Sequence, residues 1–248
     1  MADKNNVIIV IPAHNEENTV GAVVDKAMKY GDVLVIDDAS SDNTGKVAEN
    51  HGAHVITHKT NKGLGSALKT GFEYALKNKY GIIITLDADG QHVPEEIPLF
   101  LEGIKEYDFV LGARDLHGYP FKKRFGNFFL NVATNFISGT YLKDTESGFR
   151  AFRRTALEKL HLQSERYQIA LEIVFEIGRN HLSYTNVPIN VPIYVKGVGV
   201  MDGIKNFGFL LRRRKRSYSD YVQDFKYVVK HWLENGRITK YLQKKFGV

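Results

Sequence analysis

Short β-branched runs alternate with stretches of helical periodicity over the first 111 residues. Residues 7–11 (VIIVI) read as a buried strand, after which Val20, Val23, Val24, Ala27 and Met28 recur at the three-and-four spacing of one helix face. Residues 33–36 make the next strand and end at Asp37 and Asp38, where Ser41, Asp42, Asn43 and Thr44 supply caps for a helix through Glu49. A short strand at 55–57 precedes a helix over 63–76 that turns Leu64, Leu68, Phe72, Ala75 and Leu76 inward. The run GIIIT leads a strand over 82–86, followed by a helix over 94–104 and a strand over 109–111. Beyond Gly112 the pattern predicts helices over 121–137 and 168–180, with an edge strand at 187–189 because Pro188 cannot donate to a ladder. Strands alternating with helices predict an α/β fold. Its sheet is mixed but mostly parallel, covered by helices on both faces, and ligands meet it at the C-terminal ends of the strands.

The last stretch differs in kind. Residues 204–248 carry twelve Lys or Arg against three Asp or Glu, a net charge of +9, while the rest of the chain is at −3. The division is therefore a catalytic domain over 1–203 and a basic, amphipathic helical tail over 204–248. Within the tail, Arg212, Arg213, Arg214, Lys215 and Arg216 precede an apolar stripe of Tyr218, Tyr221, Val222, Phe225, Val228, Val229, Trp232 and Leu233. Cations beside aromatics suit an anionic membrane surface, and no recognisable nucleic-acid module accompanies them; the second reading is that the apolar stripe docks on the catalytic domain or a twin subunit. No apolar run approaches the length of a bilayer span, and the polar start MADKNN does not read as a secretory signal. With no cysteine in the chain, disulfides and thiolate metal sites are excluded. These features predict a cytoplasmic protein held peripherally at the inner membrane face.

The chemistry concentrates where strands end. Asp87, Asp89 and Gln91 follow the run at 82–86, and two carboxylates with an amide oxygen suit Mg²⁺ or Mn²⁺ bridging to a substrate diphosphate. The first strand ends in IPAHNEE, where a dinucleotide fold would carry G-x-G-x-x-G; the absence of those glycines counts against an oxidoreductase.

Six motifs follow in order: IPAHNEE (11–17), IDDASSDNT (36–44), NKGLGSA (61–67), DADGQH (87–92), GAR (112–114) and DTESGFR (144–150). Together they resemble glycosyltransferase family 2, of GT-A fold with a Rossmann-like sheet, and most of all its branch of dolichol-phosphate mannose synthases and polyprenyl-phosphate hexose transferases. The resemblance implies that Pro12, His14, Glu16, Ile36, Asp38, Lys62, Asp87, Ala88, Asp89 and Arg114 bind the nucleotide-sugar donor. Asp87, Asp89 and Gln91 would hold the metal. Arg114, Lys123, Arg124, Asn127, Ser147 and Arg150 would meet the acceptor phosphate, with Asp89 and Arg114 central to catalysis. Arginine suits phosphate because its planar fork gives fixed bidentate geometry. One departure bears on the donor: where the mannosyl enzymes carry an arginine and a lysine, this chain has Tyr194 and Val200. That favours a UDP-sugar over GDP-mannose.

The implied activity is inverting transfer of a hexose or N-acetylhexosamine to a polyprenyl (dolichyl) phosphate, at an anionic membrane, by a homo-oligomer or with a membrane subunit. Within the same class the alternative is a GDP-mannose-dependent dolichyl-phosphate mannosyltransferase, and two rivals from other classes stand beside it. A transferase acting on a hydroxyl would need a base, for which Asp144, Glu172 and Glu176 are the candidates. A noncatalytic nucleotide-sugar-binding scaffold is the other.

Overall fold

The computed structural model describes residues 6–114 and 121–191, without the side chains of 121–125 and 129. The tail, the 203/204 boundary, and the expectations placed on Tyr194, Val200 and the side chains of Lys123 and Arg124 lie outside the described residues.

The alternation is as the pattern predicts: β1 (Val7–Ala13), α1 (Val20–Ala27), β2 (Asp32–Asp37), α2 (Thr44–Asn50), β3 (His54–Thr57), α3 (Leu64–Lys77) and β4 (Ile82–Thr85). Pro94–Glu96 forms a 3-10 turn before α4 (Ile97–Gly103), which leads to β5 (Phe109–Arg114) and α5 (Phe121–Ser138). The chain ends its described part with β6 (Arg150–Arg153), α6 (Arg154–Leu157), α7 (Ile169–Arg179) and β7 (Tyr184–Ile189). The expected helix over 94–104 is thus split, because Pro94 and Pro98 each belong at a helix start and Pro98 has no N–H to continue the earlier turn.

Among the described residues, the strands form one sheet in the order β3-β2-β1-β4-β6-β5-β7. β1 runs parallel to β2 and β4, and β5 parallel to β7, while β6 runs antiparallel to both its neighbours. Pro188 indeed lies on an edge strand, although that strand begins three residues earlier than the sequence pattern suggests. β6 has no counterpart in the sequence expectation. Its four residues, Arg-Ala-Phe-Arg, lack a β-branched run, and only the open edges of β4 and β5 on either side make them a strand.

The strands' two-residue period sorts their side chains into two layers. Val7, Ile9 and Ile11 join α1 and α4 on one face, while Ile8, Val10 and Phe109 join α3 and α7 on the other. α5 packs across α7 through Ile137, Leu171 and Phe175. With both faces of the sheet covered, ligand access is left to the loops at the strand ends. Those loops carry the motifs.

Candidate active site

The loops after β1 and β2 are tied together by side chains. Asn15 and Ala39 both take left-handed backbone (φ 59° and 58°), a conformation Asn tolerates and Ala adopts at about 1–2 kcal/mol. The Asn15 side chain accepts the Ser41 N–H at 2.8 Å, and Ser40 Oγ accepts the Asn15 N–H at 3.0 Å. Asp42 and Glu17 exchange with the opposite loop: Asp42 accepts the Glu17 N–H (3.2 Å) and Glu17 accepts the Asn43 N–H (3.0 Å). Asp42 also accepts the Thr44 N–H, so it is Asp42 that satisfies the start of α2. This double loop carries His14, whose Nδ1–H donates to the Asp38 carbonyl at 3.0 Å, and Glu16.

Asp38 is a hub. One carboxylate oxygen accepts the Lys62 N–H (2.9 Å) and His58 Nδ1–H (2.6 Å); the other accepts the Gly63 N–H (2.6 Å). Burial alone would raise the carboxyl pKa, but these donors outweigh it and hold the group below the usual aspartate value. Gly63 has φ 90°, and a Cβ there would stand 2.7 Å from the Glu165 carbonyl oxygen, so only glycine fits this turn. The turn leaves Lys62 exposed at the mouth of the site. Asp37 holds its own turn by accepting the Ser40 N–H. Ile36 lies in the core under α3, fully buried, so its part in the site is to carry the β2 end rather than to present a side chain.

Asp87 and Asp89 emerge just past β4. Asp89 accepts the Gln91 N–H at 3.0 Å and also the Gln91 side-chain amide. The Asp87 N–H donates to His92 Nδ1 (3.1 Å), so that nitrogen carries no proton. His92 is buried against Phe149, and burial lowers its pKa, which keeps the ring neutral. His92 therefore seats Asp87. Gly148 lies so close to Asp87 that a Cβ there would sit 2.5 Å from its carboxylate oxygen. Across the gap, burial raises the Glu16 pKa, and the charges of Asp89, Asp42 and Asp87 raise it further. The strand ends thus gather negative charge.

Positive charge sits beside it. Arg114, the last residue of β5, pairs side-on with Asp144: Nε–H to one oxygen at 2.5 Å and Nη2–H to the other at 2.8 Å. Asp144 is buried, and its loop is held by α5, where Asn131 and Asn135 bind the backbone at Lys143, Thr145 and Leu142. Arg150 opens β6 and is likewise buried; burial pulls its pKa down to about 10, against the opposing pull of Asp87 and Asp144. Its Nε and the buried Ser147 hydroxyl have no hydrogen-bond partner. Both are donors, one of them on a cation, that a phosphate oxygen would satisfy.

Two of the three candidate bases are spent elsewhere. Glu172 accepts the Gln163 and Ser164 N–H groups (2.9 and 2.8 Å), and Glu176 accepts the His161 N–H and pairs with Arg179. Both carboxylates clamp the 161–164 segment to α7, which in turn supports the start of α3 through Ser66 N–H to Glu165 carbonyl. Sequence reasoning missed His58, His92 as a seat for Asp87, and the two asparagines. The signal for Asn131 and Asn135 was available: with Asn127 they recur at i, i+4, i+8 along one line of the helix.

The profile described as "Glycosyl transferase family 2" matches residues 8–161, which include all six motifs. The chain belongs to glycosyl transferase family 2. Among curated relatives, a UDP-N-acetylglucosamine–dolichyl-phosphate N-acetylglucosaminyltransferase of Methanococcus voltae is 34% identical, covering 85% of this chain and 96% of that protein. An undecaprenyl-phosphate mannosyltransferase of Micrococcus luteus is 32% identical, covering 79% and 88%. Among solved structures, glucosyl-3-phosphoglycerate synthase from Mycobacterium tuberculosis, in complex with Mn²⁺, UDP-glucose and phosphoglyceric acid, superposes with a TM-score of 0.68. It is 19% identical and covers 84% of this chain and 79% of that one, a likeness of fold. The family 2 chain thus has the mixed, mostly parallel GT-A sheet.

The donor set at the Asp-x-Asp fits a divalent cation. Asp87 and Asp89 offer half-exposed hard oxygens, and Glu16 nearby, its pKa raised first by burial and then by the charges of Asp89, Asp42 and Asp87, marks a local excess of negative charge that a cation would neutralise. Among the described residues, no three His, Asp or Glu side chains converge as a closed metal site. Asp87, Asp89 and Gln91 would therefore supply a partial set completed by substrate oxygens, the usual habit of Mg²⁺.

Proposed function

We propose that the protein is an inverting glycosyltransferase that moves a hexose or N-acetylhexosamine from a UDP-sugar to a polyprenyl phosphate of the dolichyl type. The observation that carries this reading is the state of the three carboxylates that could serve as a base. Asp144 is locked in a two-point pair with Arg114, and Glu172 and Glu176 are tied to the 161–164 backbone. A hydroxyl acceptor needs one of them as a base; a phosphate monoester, with second pKa about 6, arrives already deprotonated. Its need is for cations and hydrogen-bond donors, which Arg114, Arg150 and the Ser147 hydroxyl would supply, with Lys123, Arg124 and Asn127 on the first half of α5 as further candidates.

In this mechanism a phosphate oxygen attacks the anomeric carbon as the bond to the nucleoside diphosphate breaks, with inversion at that carbon. Mg²⁺ or Mn²⁺ held by Asp87, Asp89 and Gln91 would neutralise the charge developing on the leaving group. Pro12, His14, Glu16, Asp38, Lys62 and the Ala88 backbone line the donor side, and Asp144 fixes the plane of the Arg114 guanidinium toward the phosphates. The test is incubation with a panel of UDP- and GDP-sugars and a short polyprenyl phosphate, UDP-glucose and UDP-N-acetylglucosamine first. An acid-labile lipid product is expected from a UDP-sugar. Product on the free alcohol instead would overturn the phosphate acceptor, and turnover of GDP-mannose alone would overturn the UDP assignment.

We further propose peripheral contact with an anionic membrane. The basic tail supports it, and so does α5, whose Phe128 and Val132 are 65% and 51% exposed on a helix with three cations and no acid. Two segments of like charge repel each other and are both drawn to anionic lipid. Each cation near such a surface contributes roughly 1 kcal/mol, so five in the tail suffice for reversible docking. Flotation should show salt-sensitive binding to phosphatidylglycerol-containing vesicles that is lost when residues 212–216 are neutralised. Equal binding to neutral vesicles would remove the electrostatic docking. Among the described residues no helix is long and apolar enough to cross a membrane.

A further inference from the structure

His58 stands one residue past β3, outside every motif, yet it is 7% exposed and both ring nitrogens are engaged. Nδ1 lies 2.6 Å from Asp38 and Nε2 lies 2.9 Å from the Thr70 hydroxyl on α3, which donates onward to the Ser66 carbonyl. Asp38, held ionised, can only accept, so Nδ1 carries the proton in that bond. We infer that His58 is a positioning residue for the donor side of the site: through Asp38 it sets the Lys62–Gly63 turn that presents Lys62 to the nucleotide sugar. This rests on the nucleotide-sugar reading given above.

The physical case is one of counted donors. The Asp38 carboxylate has three, and two of them are the backbone N–H groups of the turn itself. His58 is the only one of the three that comes from outside that turn and from a rigid ring, so it fixes the carboxylate while the turn forms around it. The turn is pinned from the other side by the Glu165 carbonyl, which accepts the Ser66 N–H and leaves no room at Gly63 for a side chain. Remove the ring donor, and the carboxylate can rotate away from Lys62 and Gly63. Asp87, Asp89 and Arg114 lie beyond other strand ends and are untouched. The effect therefore belongs in donor binding, not in the chemical step.

Two substitutions separate the two ring nitrogens. In His58→Asn the amide nitrogen takes the place of Nδ1 and keeps the bond to Asp38; in His58→Gln it takes the place of Nε2 and keeps only Thr70. With full-length protein, KM for the nucleotide sugar is expected to stay within about threefold for His58→Asn and to rise about tenfold for His58→Gln, kcat changing little, as suits loss of one charge-assisted bond. Titration with UDP and MnCl₂ should rank the variants in the same order. Thr70→Val, which removes only the outer partner, should leave KM unchanged. Should His58→Gln not fold, His58→Ala, which removes both ring bonds and buries no new polar group, takes its place and is expected to raise KM alike. Equal KM values for the Asn and Gln variants, or a loss confined to kcat, overturns the positioning role. Wild-type protein that turns over no nucleotide sugar overturns the donor reading itself, a distinct result.

Discussion

Asp89→Ala is expected to reduce transfer by about a thousandfold while the fold survives. Lewis-acid stabilisation of a leaving diphosphate is worth several kcal/mol, and each 1.36 kcal/mol is about a factor of ten. Among the described residues Asp89 hydrogen-bonds within its own loop, to Gln91, and it is half-exposed, so its loss removes little stability. Turnover should fall together with Mn²⁺-dependent UDP binding, at a melting temperature near that of the wild type. Unchanged turnover would sink the metal assignment. Asp87→Ala should be as inactive, and because the bond to His92 Nδ1 is donated by the Asp87 main-chain N–H, which the substitution keeps, its melting temperature should also stay near that of the wild type.

Asp144→Ala should do the opposite: unfold the protein readily. Asp144 is 2% exposed and faces two guanidiniums, Arg114 in direct contact and Arg150 buried nearby. Removing one member of a buried ion pair costs roughly 3–5 kcal/mol, because the partner is left charged and desolvated. Urea denaturation should show that loss, and Arg114→Ala combined with Asp144→Ala should recover part of it, as coupled sites do. Were Asp144 instead a base for a hydroxyl acceptor, its replacement would lower kcat and spare stability. That result would reopen the rival reading.

The dual use of Asp144 shows how far composition and motif reach. DTESGFR is visible in the sequence, and it marks where an acceptor phosphate would be met. It does not reveal that Asp144 answers Arg114 thirty residues earlier, nor that Asn131 and Asn135 hold the loop between them. The same holds for Glu172 and Glu176. Either of two glutamates one turn apart on a helix looks like a candidate base until the backbone N–H groups of 161–164 are found on them.

What the sequence determined by itself is everything that depends on local period and local chemistry. β-branched runs made β1 to β5 legible, Pro188 marked an edge, and the motif order placed carboxylates at strand ends and named the family. Tertiary structure alone decided the rest. β6 is a strand because β4 and β5 leave two open edges, not because Arg-Ala-Phe-Arg favours one. Ile36 went to the core and Asp38 became a hub because β1, β3 and the α3 turn converge on the end of β2. His58 acquired a task only when Asp38 and Thr70, twenty and twelve residues away, closed around its ring. Periodicity and spacing are properties of neighbours along the chain, whereas a hydrogen-bond partner is a property of neighbours in space, which only the folded sheet brings together.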